Sequence, residues 1–137
     1  MPADRTIVTT KAADGKNAWP DKGAVTFENV NMRYRAGLPL VLKDLSLEIG
    51  GGLRVGVCGR SGSGKSSLLV ALFRLTNVEP TGRILIDGVD IASLSLQQLR
   101  RTVGIIPQDP VLFVGTLRDN LDAFGEHEDS ALWDALR

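Results

Sequence analysis

An α/β fold, with an antiparallel β portion packed beside a partial parallel core, is predicted by three observations. Short stretches of near-alternation run from Ala24 to Ile49. The apolar run Leu53-Arg54-Val55-Gly56-Val57-Cys58 then passes through a glycine-rich loop directly into an apolar helix. After Thr116 the spacing turns helical.

Residues 1–22 are small, polar and charged, with Pro2, Gly15 and Pro20 and no period, and read as a disordered linker; the domain is expected over 23–137. Val25, Phe27, Val30, Met32 and Tyr34 suit a half-exposed sheet. Gly37-Leu38-Pro39 marks a turn, Leu40–Leu42 and Leu45–Ile49 read as further strands, and Gly50-Gly51-Gly52 closes this portion. Leu53–Cys58 is too short for a helix and predicts a buried strand. Ser66–Leu75 predicts a helix that is apolar nearly all round and therefore buried. Pro80-Thr81-Gly82 precedes a strand at Arg83–Ile86, and Asp87-Gly88 signals a turn. Leu94–Arg100 predicts a short helix, and Val103–Ile106 a strand stopped by Pro107. A helical portion begins with Thr116–Leu121 and resumes at Ser130, where Leu132, Trp133 and Leu136 share one face. The period is still running at Arg137, as in a truncated domain.

Composition narrows the function. The 137 residues suffice for one domain, and sixteen basic residues balance sixteen acidic ones. Zero net charge gives no global attraction for nucleic acid or an anionic membrane, so any anion site must be local. Cys58 is the only cysteine, which rules out an internal disulfide and, among apolar neighbours, reads as a buried, inert thiol. No apolar run approaches the roughly 18 residues of a membrane span, and the start has neither the basic nor the apolar stretch of a signal peptide.

The local anion site is Gly59-Arg60-Ser61-Gly62-Ser63-Gly64-Lys65-Ser66-Ser67, which fits G-x-x-x-x-G-K-[ST]. Glycines let consecutive N–H groups curl inward toward phosphate oxygens. The following helix adds its free N-terminal N–H groups and the positive end of its dipole. Lys65 supplies a mobile charge for the β- and γ-phosphates of ATP, and the Ser66 hydroxyl suits Mg²⁺. A glycine- and serine-rich turn that binds nothing is the alternative. The strand before the loop and the helix after it favour the phosphate site.

The loop alone would fit a kinase, a GTPase, a motor or a transporter engine. The flanking residues are more specific. Met32-Arg33-Tyr34-Arg35, Leu38-Pro39-Leu40-Val41-Leu42-Lys43, Leu72-Phe73-Arg74-Leu75, Gly82-Arg83-Ile84-Leu85-Ile86-Asp87-Gly88 and Leu99-Arg100 resemble nucleotide-binding domains of ABC transporters. So do Ile105-Ile106-Pro107-Gln108-Asp109-Pro110-Val111-Leu112-Phe113 and Gly115-Thr116-Leu117-Arg118. The resemblance is to the C, or multidrug-resistance-associated, subfamily, most of all to its second nucleotide-binding domain, and runs from about Trp19 to the end. It implies a partial P-loop NTPase (ABC ATPase) fold.

The resemblance also assigns roles. Tyr34, by pattern alone a strand aromatic packed in the sheet, matches the A-loop aromatic that stacks on adenine. Gln108, by itself a polar loop residue, matches the Q-loop glutamine that reaches Mg²⁺. Ser61, Cys58 and Ala123 stand where threonine, valine and proline are common in the family; none of the three threatens nucleotide binding. The signature sequence, the Walker B aspartate with its catalytic glutamate, and the switch histidine find no match in these residues. Ile84-Leu85-Ile86-Asp87 imitates a Walker B strand, but Gly88 occupies the glutamate position and the turn reading holds. His127, between Glu126 and Glu128, reads as a solvated residue.

The implied parent is a membrane transporter that couples ATP binding and hydrolysis to substrate movement. This chain would lie at the cytoplasmic face against transmembrane domains and a second nucleotide-binding domain, with no nucleic-acid partner and no turnover of its own. A soluble ABC-family ATPase without membrane domains and a partial gene product are the rivals. Lacking sheet neighbours for two of its apolar strands, the chain alone is expected to be marginally stable.

Overall fold

The computed structural model describes residues 19–106 and 111–137. They form two compact units, one ending at Gly104 and one beginning at Ile105.

The first unit is built on a four-stranded antiparallel sheet. Its strands are β1 (Val25–Met32), β2 (Leu42–Ile49), β3 (Arg83–Ile86) and β4 (Val89–Asp90), in the order β2-β1-β3-β4. Strand β1 lies in the middle, with Phe27 opposite Leu47 on one side and Ile84 on the other. Phe27, Val30 and Met32 are all buried, although an odd step separates the first two. A bulge resolves the mismatch. The β1–β2 register shifts between Phe27 and Val30, where Asn29 takes φ 47°, and the extra residue turns Val30 back to the core side. Asparagine tolerates that backbone better than most residues, and the Asn29 side-chain oxygen accepts from the Ser46 hydroxyl on β2.

Helix α1 (Lys65–Leu72) contributes Ala71 to the core, and α2 (Leu96–Thr102) contributes Leu99. They share that core with Phe27, Val30, Met32, Leu42, Ile84, Ile86, Ile91 and Leu94. Ser95 caps α2 through a reciprocal pair with Gln98, which places the helix start two residues after the expected Leu94. A 180 Å³ cavity lined by Ala71, Arg74, Ile84 and Ile91 lies beside this core.

Asp87 and Gly88 form the two-residue turn between β3 and β4, with φ 47° and 77°. Both angles are positive, as a type I′ hairpin requires. The Asp87 carboxylate is no Walker B acid, for it accepts N–H bonds of 2.8–2.9 Å from Asp21, Lys22, Gly23 and Ala24. Trp19 adds a 2.8 Å bond from Nε1 to the Ile86 carbonyl, so residues 19–22, expected to belong to the linker, are held against β3. Burial pushes the Asp87 carboxyl up, but the donors of Gly23, Ala24, Lys22 and Asp21 outweigh it and hold the group below the usual aspartate range.

This clasp has a sign in pH. A depressed carboxyl stabilises the fold above its unfolded pKa, about 4, and the contribution is lost as pH falls through the folded value. Asp87→Asn is expected to cost about 1–2 kcal/mol at pH 7, given surface solvation. The same substitution should cost much less near pH 3, as urea titrations at the two pH values would show.

Several expected elements do not form. Leu53–Cys58 is irregular and exposed, with Leu53 67% and Val55 52% accessible, and Cys58 is exposed rather than buried. Val103–Ile106 is likewise no strand, and Ile106 is 95% exposed. The reason is hydrogen bonding: an apolar run becomes a strand only where a neighbour completes its ladder, and no described strand flanks either run. The strands of the expected parallel core are therefore absent among the described residues. Of the expected strand Leu40–Leu42 only Leu42 is strand, continuous with Leu45–Ile49 in the single strand β2. Helix α1 ends at Leu72 and buries only Ser67 and Ala71, leaving Leu69 47% exposed, because the sheet covers just one of its faces.

In the second unit, α3 (Leu117–Leu121) is capped by Thr116, where the spacing predicts a helix to begin. The Thr116 hydroxyl accepts the Asp119 N–H, and the Asp119 carboxylate accepts the Thr116 N–H, which lowers the Asp119 pKa. Asp122 accepts N–H bonds from Glu126 and His127, and its carboxyl is lowered for the same reason; His127 itself is exposed. Helix α4 (Asp129–Ala135) places Leu132, Trp133 and Leu136 beside Leu117 and Leu121. Among the described residues no helix is long and apolar enough to cross a membrane.

Candidate phosphate-binding site

The loop Gly59–Gly64 leads into α1 on the surface of the first unit. Gly62 and Gly64 take φ 79° and 92°, a region closed to most side chains. Gly64 is the N-cap of α1 and offers no side-chain cap. The first-turn N–H groups of Lys65, Ser66 and Ser67 thus lack the carbonyls that a longer helix would supply, and Leu68 is the first residue to bond back, to Gly64. Among the described residues the N–H groups of Gly62 and Gly64 likewise meet no backbone acceptor, whereas Ser63 bonds to the Arg60 carbonyl at 3.2 Å. Amide donors and the positive end of the helix dipole converge here.

Lys65 folds back over this loop. Its Nζ donates to the carbonyls of Gly59 and Arg60, each at 2.7 Å, so the ammonium lies at the loop and not out in solvent. A Cβ at Gly59 would meet Ser63 Oγ at 2.5 Å, so the serine side chain would have to turn aside. Arg60, Ser61, Ser63 and Ser66 are exposed, so the Ser66 hydroxyl is open to an ion or ligand. Among the described residues no group of His, Cys, Asp and Glu is arranged to hold a metal ion. A magnesium ion brought with a polyphosphate would need few protein ligands, which Ser66 fits.

The fold brings Tyr34 to this site across 33 residues of sequence. Its hydroxyl lies 2.9 Å from Ser67 Oγ on the first turn of α1. Ser67 is buried, while Tyr34 stays 47% exposed and its ring keeps accessible surface. Sequence reasoning names both residues without pairing them, and no local pattern could have done so. It also passes over Glu79, which pairs with Arg33 Nε at 2.7 Å and braces the segment carrying Tyr34. Gln108 lies outside the described residues.

Comparison with known proteins gives this arrangement its context. The family model described as ABC transporter matches residues 42–137. The ABC-type transporter cicA of Emericella nidulans is 61% identical over 88% of this chain and 8% of its own length. The oligomycin resistance ATP-dependent permease YOR1 of Saccharomyces cerevisiae is 56% identical over 87% of this chain and 8% of its own. Human ATP-binding cassette sub-family C member 4 is 52% identical over 88% and 9%. The chain thus spans less than a tenth of the length of these relatives. With a family match over most of its residues and relatives above half identity, the chain belongs to the ABC transporter family.

Proposed function

We propose that this chain is the nucleotide-binding part of a C-subfamily transporter, and that it holds MgATP at Gly59–Ser67 with adenine against Tyr34. One observation carries the reading: unsatisfied amides at the start of α1 face the same loop on which the Lys65 ammonium rests. The ammonium would exchange two neutral carbonyls for phosphate oxygens, a stronger, charge-assisted contact. Ser66 offers its hydroxyl to Mg²⁺, which would neutralise phosphate charge, and Gln108 belongs to the same metal site. The parent couples ATP binding and hydrolysis to substrate movement, at the cytoplasmic face, with transmembrane domains and a second nucleotide-binding domain as partners. Residues 1–137 hold no counterpart of the catalytic glutamate or signature, so the chain by itself binds without turnover.

Titration calorimetry with MgATP tests this. Lys65→Ala is expected to weaken binding by about 1.5–3 kcal/mol, roughly 10- to 150-fold. Equal affinity in both proteins would place the nucleotide elsewhere.

A further inference from the structure

We propose that Ser67 is a positioning residue whose hydroxyl, bonded to that of Tyr34, holds the tyrosine ring ready for the base before any nucleotide arrives. The inference rests on the nucleotide reading above and assigns to Ser67 a task other than phosphate contact by its side chain.

The geometry separates the two ends of Ser67. Its backbone N–H belongs to the first turn of α1, while its side chain is buried and meets the Tyr34 hydroxyl at 2.9 Å. A buried hydroxyl is costly to leave unpaired, and in the empty site its partner is Tyr34. Tyr34 is held from its backbone side too. Arg33 pairs with Glu79 at 2.7 Å and donates from Nη1 to the Leu38 carbonyl at 3.0 Å. Leu38 N–H bonds to the Arg35 carbonyl, and Val41 N–H returns to Met32. The segment from β1 to β2 is thus pinned at both ends, and the ring is pinned at its tip. Ser67 follows Lys65 by two residues, about 3 Å along the helix axis, which keeps the ring near the loop. An aromatic face fixed in this way meets a base without first losing rotamer freedom, so affinity is gained by preorganisation.

Only the base end of the ligand should sense this bond, which makes the test selective. In the whole chain of 137 residues, calorimetry would compare MgATP with magnesium tripolyphosphate, which has no base. Tyr34→Phe and Ser67→Ala are each expected to weaken MgATP by about threefold to tenfold, and Tyr34→Phe, which leaves the phosphate loop intact, to leave tripolyphosphate unchanged. The double variant should bind no more weakly than either single one, since both remove the same bond. Ser67→Thr, which keeps the hydroxyl, should restore MgATP binding.

Unchanged MgATP affinity in both single variants, with Lys65→Ala still impaired, would overturn the positioning role and leave the phosphate site standing. Equal loss of both ligands would also overturn it, because the bond would then support the loop and not the ring. If Lys65→Ala binds both ligands normally, the phosphate reading fails and this inference fails with it.

Discussion

Phe27→Ala is expected to lower the stability of the first unit by about 3–5 kcal/mol, the usual cost of removing a buried aromatic side chain. Phe27 is 4% exposed on the middle strand, paired with Leu47 on one side and Ile84 on the other, and belongs to the buried core. Small domains have about 5–15 kcal/mol in total. The substitution would therefore remove from about a fifth to all of it, and in a domain at the low end of that range a large fraction of molecules would open. A urea titration followed by tryptophan fluorescence would report it, because Trp19 is bonded to β3. A midpoint within experimental error of the parent would mean that this sheet is not the stabilising core.

Gly82→Ala should cost about 3 kcal/mol, at the upper end of what overpacking produces. The cause is space and not backbone conformation, since Gly82 does not take a positive φ. A Cβ at that position would lie 2.6 Å from the Asn29 carbonyl oxygen and 2.7 Å from Val30 Cα. Both are backbone atoms of the β1 bulge, and neither can swing aside as a side-chain tip could. The expected result is loss of the β1–β3 register at its open end, read as a lower thermal midpoint and faster exchange of the amides in β3. Wild-type stability in this variant would show that β1 and β3 separate there at no cost.

The two substitutions define how the site is carried. Tyr34 leaves the sheet just after β1, and the loop enters α1, which packs on the same core through Ala71. Loss of the bulge or of Phe27 should therefore loosen the Tyr34–Ser67 contact without touching either residue. That coupling is tertiary, and no reading along the chain reveals it.

Much of the local structure was nevertheless legible. The Asp87-Gly88 turn, the start of α3 after Thr116 and the strand Arg83–Ile86 follow from turn chemistry, capping and alternation, which act over a few residues. The glycine-rich loop and the helix start after it were legible for the same reason, since glycine placement defines them within nine residues, Gly59–Ser67. Leu53–Cys58 and Val103–Ile106 were misread because apolar content shows what a segment would bury, not whether a partner strand stands beside it. Cys58 and Leu69 of α1 are exposed through that same lack of cover.

The amino-acid order by itself determined the loop, its lysine and the family to which the chain belongs, because each is written in contiguous residues. Tertiary structure alone decided that the Tyr34 ring is tied to α1, that Asp87 clasps residues 21–24 and that the middle strand bulges at Asn29. Each of these depends on hydrogen-bond partners tens of residues apart or on neighbouring strands, and such partners become neighbours only once a sheet has formed.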